Sequence, residues 1–225
     1  MGDSFPMATT TDAFGDAVRE QTGEYLTAVR RCLATLPPAL LGYGDSEFAD
    51  SVSDLVARES VCDERLQTLR TTLGTAEPNY TEVYLNSGTV MELFVLLDEV
   101  PNCAEQFLRE LDAVRRPLDE GTTDALTQMA ALAARATRVL TDAIERFVAG
   151  LVEPGEGPDI VDAVDQVAAL ESRADDLKYE IITHAFDTLP TAEAVVVRDL
   201  ARSLDAALDA AEDTADQLLY VHAGA

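Results

Sequence analysis

The stretch "LESRADDLKYEI" (residues 170–181) has the period of a helix, yet it sets Glu171 and Asp175 one turn apart where an apolar seam should run. An earlier stretch, "RESVCDERLQTL" (residues 58–69), repeats the anomaly with Glu59 and Asp63. The seam positions around each pair alternate in steps of four and three. One series reads Phe48, Val52, Leu55, Glu59, Cys62, Leu66, Leu69, Leu73; the other reads Ile160, Val164, Val167, Glu171, Ala174, Lys178, Ile181. Each glutamate falls on the seam and each aspartate flanks it one turn later.

The two pairs keep the same offset, which marks an internal repeat. A second match links "LDEVPNCAEQF" (residues 97–107) to "LDAALDAAEDT" (residues 204–214). There Asp98 aligns with Asp205, Asn102 with Asp209 and Glu105 with Glu212, and the smaller offset means a shorter loop in the second half. Proline and glycine punctuate the rest at "LPPALLGYGD" (36–45), "GTAEP" (74–78), "RRPLDEG" (115–121), "GLVEPGEGPD" (150–159) and "LP" (189–190). Between these breaks lie six segments of helical period, starting near Asp12, Ser46, Tyr80, Thr123, Ile160 and Ala192, and nothing reads as a strand. The expected fold is all-α: six antiparallel helices forming two tandem three-helix bundles, residues 1–117 and 118–225.

Composition narrows the function. The chain has 225 residues, 47% of them hydrophobic, enough for a substantial core. Its 42 acidic residues against 16 basic give a net charge of −26, which repels phosphate backbones and argues against nucleic-acid binding. Lys178 is the only lysine. Such a surface resembles that of salt-adapted cytoplasmic proteins, as in halophilic archaea; an ordinary acidic protein is the alternative. The three cysteines, Cys32, Cys62 and Cys103, form no CxxC pair, which fits a reducing cytoplasm and no disulfide framework. The start "MGDSFPMATTTDAF" lacks the features of a signal peptide, and no apolar run reaches the ~18 residues needed to cross a bilayer. A cytoplasmic protein without membrane insertion is expected.

An unpaired carboxylate in a helical core costs several kcal/mol unless it is paired, protonated, solvated or bound to a cation. Residues four apart share a helix face, so both members of a pair can approach one ion. A second acidic stretch on a neighbouring helix completes an oxygen-rich site suited to hard cations: iron, manganese, magnesium or calcium. The proposed partners are Glu59 and Asp63 with Asp98 and Asn102, and Glu171 and Asp175 with Asp205 and Asp209. Two alternatives stand beside this reading. The carboxylates could face solvent, or Lys178 could neutralise Asp175; the latter serves only the second half, because Leu66 occupies the equivalent position. The first site looks the weaker, since Asn102 replaces an aspartate and Pro101 should kink its helix. Cys62 and Cys103 align with Ala174 and Ala210, which favours small core residues over thiolate ligands. His184 and His222 belong to no motif and read as surface or capping residues.

Two three-helix units with ExxxD on the middle helix and a (D/E)xxxD-type motif on the last resemble the PhoU family. "LESRADDLKYEI" and "LDEVPNCAEQF" look most like its branch associated with Pit-type phosphate transporters. The resemblance implies a cytoplasmic, non-enzymatic regulator of phosphate uptake, peripheral to the membrane through a transporter of Pit or ABC type or its signalling partners, with a homo-oligomer left open. It implies multinuclear metal clusters, iron favoured, with manganese, magnesium or zinc as further candidates. Carried onto this chain, the ligands would be Glu59, Asp63 and Asp98, then Glu171, Asp175, Asp205 and Asp209. A di-iron carboxylate oxidase is the enzyme rival, but it needs Glu-x-x-His pairs, and Glu180 and His184 stand four apart. A structural scaffold without metal is the third reading.

Overall fold

The computed structural model describes residues 8–75, 81–152 and 160–224. Among the described residues every regular element is a helix. Six are long: α1 (Ala8–Leu33), α3 (Phe48–Leu73), α4 (Thr81–Val114), α5 (Glu120–Val152), α6 (Val161–Thr188) and α7 (Thr191–Gly224). They answer in order to the six expected segments, and the all-α class holds. Tyr80, the start of the sequence and most of the breaks at 74–78 and 150–159 lie outside the described residues.

One break is itself helical. A short α2 (Leu36–Leu41) opens the stretch read as a loop. Proline in a first turn loses only an N–H that has no intrahelical partner anyway, so Pro37 and Pro38 are tolerated there. Burial of Leu36, Ala39 and Leu40 draws the turn onto the core. Pro101 does not end α4, which runs on through it as one element.

The remaining turns have plain local causes. Arg115 adopts a left-handed conformation (φ 49°) that closes α4. Asp119 then caps α5: its Oδ1 accepts from the Thr122 amide at 3.0 Å and its Oδ2 from the Thr122 hydroxyl at 2.6 Å. Pro190 forces Leu189 into extended backbone and so ends α6. The Pro190 carbonyl accepts from the amides of Glu193 and Ala194 and starts α7.

In the first half α3 lies against both α1 and α4; in the second α6 lies against both α5 and α7. The halves meet where α1 packs on α5 and α4 packs on α7. Arg30 of α1 pins the first contact, donating to Thr141 at 2.6 Å and pairing with Asp142 at 2.9 Å and Glu145 at 2.8 Å on α5. Across the second contact, Asp209 of α7 is close enough to bear on the Cys103 thiol of α4. The two middle helices therefore lie on either side of a shared core, each presenting its glutamate toward the last helix of its own half.

Candidate functional site

On α3 the eight buried residues are the eight seam positions read from the sequence, Glu59 included at 8% exposure. On α6 five of the seven seam positions, Ile160, Val164, Val167, Ala174 and Ile181, are buried, and burial shifts by one residue at the other two. Leu170 and Leu177 are buried there, while Glu171 and Lys178 sit half-buried at the edge. The cause is in the repeat itself: the positions of Leu170 and Leu177 correspond to Arg58 and Arg65 in α3, which stay at the surface. Leucine buries at these two positions where arginine keeps its charge in water, so the buried stripe shifts there alone.

In the first half Glu59 is pushed up to about 7 by burial, by the charges of Asp63, Glu105 and Asp98, and by a hydrogen bond shared with Glu105. Asp63 itself is exposed, and Asp98 of α4 is half-buried. Burial raises Asp98 as well, Asp63 adds to this, and Tyr25 and Arg70 oppose it. Tyr25, wholly buried on α1, brings its hydroxyl within 3.3 Å of Asp98 Oδ1 and 3.4 Å of the Phe94 carbonyl. The Cys62 thiol is held far above its usual range by a hydrogen bond with Cys32 and by burial, so it is a neutral core group and a poor ligand. Asn102 is half-buried one turn beyond Asp98.

The second half resolves its charges differently. The Lys178 ammonium donates to both Asp175 Oδ1 and Asp205 Oδ2, joining α6 to α7. The pairing considered for Asp175 alone thus reaches a second helix. Burial disfavours the ammonium, but its two carboxylate partners outweigh that and hold its pKa above the ordinary range. Around this pair Glu171, Asp209 and Glu212 are raised, first by burial and then by one another and their acidic neighbours. Asp205 is raised by burial against the pull of Lys178.

All seven sequence-predicted carboxylates therefore fall into two clusters, one per half, as the repeat requires. Among the described residues no three His, Cys, Asp or Glu side chains converge tightly enough to hold one ion as they stand. The first cluster nonetheless offers the donor type that a hard cation takes. Its donors are carboxylate oxygens, and a glutamate that keeps its proton near neutral pH marks a place short of positive charge. The second does not fit in the same way, because Lys178 supplies the charge an ion would bring.

Sequence reasoning missed two kinds of participant. Glu105 and Glu212 were aligned by the repeat but not counted, yet they are among the carboxylates bearing on Glu59 and Glu171. Tyr25 carried no signal at all, since a tyrosine on an apolar helix face reads as ordinary core. The histidines stay apart from both clusters: His184 faces Asp119 at 3.4 Å, and His222 stands edge-on to Phe147 with centroids 6.4 Å apart.

No protein family's sequence profile matches the chain, and no curated protein does. Solved structures match well. A chain from Shewanella oneidensis MR-1, provisionally named a PhoU-like phosphate regulatory protein, superposes with a TM-score of 0.77 at 16% identity, covering 92% of this chain and 100% of that one. A PhoU-like protein from the same organism gives 0.78 at 17% identity, covering 92% and 97%. At such low identity the likeness is one of fold: the chain has the PhoU-like helical architecture.

Proposed function

We propose that this chain is a non-enzymatic, metal-binding regulator of phosphate uptake, acting in the cytoplasm as an adaptor on a phosphate transporter or on the signalling that controls it. The observation that carries the reading is the buried Glu59 with the carboxylates gathered around it, set in a fold shared with PhoU-like proteins. Residues 1–117 and 118–225 would be its two three-helix repeats, which the matched packing of α3 and α6 supports. Its acidic, lysine-poor composition suits a salt-adapted cytoplasm.

Glu59, Asp63 and Asp98 would hold the ion in the first half, with Glu105 as a further donor. The ion supplies fixed positive charge, iron being favoured and manganese, magnesium or zinc the other candidates. What the chain's own residues contribute is position. Glu59 is held at the seam by its apolar neighbours, and Tyr25 steadies the Asp98 carboxyl from α1. No helix of the described residues is long and apolar enough to cross a membrane, which is compatible with a peripheral role at a transporter of Pit or ABC type.

The test has two parts. Elemental analysis of protein purified without chelator should find bound metal that the double variant E59Q/D98N loses. Deleting the gene in its host should deregulate phosphate uptake. Normal uptake in the deletion strain would refute the regulatory reading, whatever the protein binds.

A further inference from the structure

The two halves share a repeat but not a charge balance. Among the described ion pairs, Glu59 and its neighbours meet one cation, the exposed Arg109 guanidinium, which pairs with Glu105 at 2.5 Å. The second half holds the only lysine of the chain, and that lysine is turned inward. Its side chain is 13% exposed, and it bridges a flanking aspartate of α6 to Asp205 of α7, whose side chain is 6% exposed. A long, strongly hydrated side chain seldom lies so deep unless its charge is needed there. The position aligned with it in the first half is Leu66, fully apolar and buried.

A second observation shows that the cluster is built for more cation than it has. Asp205 Oδ1 is buried without a hydrogen-bond partner. Its other oxygen takes the ammonium, so half of a buried carboxylate is unsatisfied. Glu171, Asp209 and Glu212 stand around it with no cation partner of their own among the described ion pairs. A monovalent, tethered ammonium therefore closes the site without saturating it.

We infer that Lys178 is a built-in counter-ion that replaces metal in the second half, and that beneath it lies a latent divalent-cation site formed by Asp175, Asp205, Asp209 and Glu171. The inference rests on the metal reading of the first half given above. Its consequence is an asymmetric molecule: the α1–α3–α4 half responds to metal supply, while the α5–α6–α7 half is locked permanently by its own lysine. Lys178→Gln removes the charge, keeps much of the stem, and leaves Asp175 and Asp205 to recruit an ion.

Mn2+ is a suitable probe, read by electron paramagnetic resonance and by equilibrium dialysis on the full chain. The wild type should bind Mn2+ through its first half only, so E59Q/D98N should fall to background. E59Q/D98N/K178Q should regain binding at least about tenfold above that background, equivalent to roughly 1.4 kcal/mol, whereas E59Q/D98N/K178R, which keeps a cation, should not. Mn2+ retained by E59Q/D98N would overturn the inference, because the lysine would not be closing the site. So would background binding in E59Q/D98N/K178Q. If the wild type binds none but K178Q does, the first-half reading falls and this one stands. Should E59Q/D98N/K178Q fold only when refolded with excess Mn2+, as read by circular dichroism, the latent site is supported directly. Should it fold under neither condition, E59Q/D98N still decides: ions left on it refute the closure, and their absence supports it.

Discussion

A glutamate buried among three other carboxylates keeps its proton longer in the folded state than in the unfolded chain. For Glu59 the folded value is about 7 against an ordinary 4.5. The native state thus binds the extra proton between those limits, and stability falls as pH rises through that window before levelling off above it. The full effect is of order 3 kcal/mol. Denaturant melts with chelator present should show the wild type losing stability between pH 5 and pH 8, and Glu59→Gln should lose measurably less while gaining about 1–2 kcal/mol at pH 8. An identical pH slope in both proteins would mean that Glu59 titrates normally. The place of Glu59 was legible in the period of α3, where all eight seam positions are the buried ones. Lys178 was legible only in part. Its reach to Asp175 is a spacing within one helix, but its reach to Asp205 depends on how α6 registers against α7. No single-helix period encodes that register, and the same limit hid Tyr25.

Helix-to-helix distances leave their mark at two glycines of α1. A Cβ built on Gly15 would lie 2.6 Å from Val152 Cγ1 near the end of α5, whereas one on Gly23 would meet only Glu145 Oε1 at 3.9 Å. Alanine improves helix propensity by about 1 kcal/mol at either site, but overpacking costs about 1–3 kcal/mol. Gly23→Ala should therefore raise stability by about 0.5–1 kcal/mol, while Gly15→Ala should be neutral or destabilising, with Val152→Ala relieving the clash in the double variant. Thermal melts of the four proteins would decide it, and a stabilising Gly15→Ala would refute the close approach. The six long helices were readable because proline and glycine mark their ends sharply. The short α2 was not, since its helicity comes from burying Leu36 and Leu40 on other elements and not from its own two-proline sequence.

Over the whole molecule the excess of 42 acidic over 16 basic residues sets a self-repulsion that salt can screen. The Debye length falls from about 10 Å at 0.1 M to about 3 Å at 1 M, so the melting temperature should climb by many degrees across that range; a flat response would return the chain to the ordinary acidic class. Carboxylate clusters in both halves amplify the effect, because each raises the charge density that ions must offset. The repeat of acidic motifs is a feature of the sequence alone, while the contacts of α1 with α5 and α4 with α7 had no sequence signature. A practical property follows from the inward-facing lysine. Amine-reactive esters modify only neutral, accessible amines, and here the sole side-chain amine is half-buried, protonated and held by two aspartates. Acylation of Lys178, followed by peptide mass spectrometry, should be slow in the folded protein and rise steeply whenever α6 and α7 part. One reagent thus makes the chain its own stopwatch, timing the opening of that helix pair without any label having to be engineered.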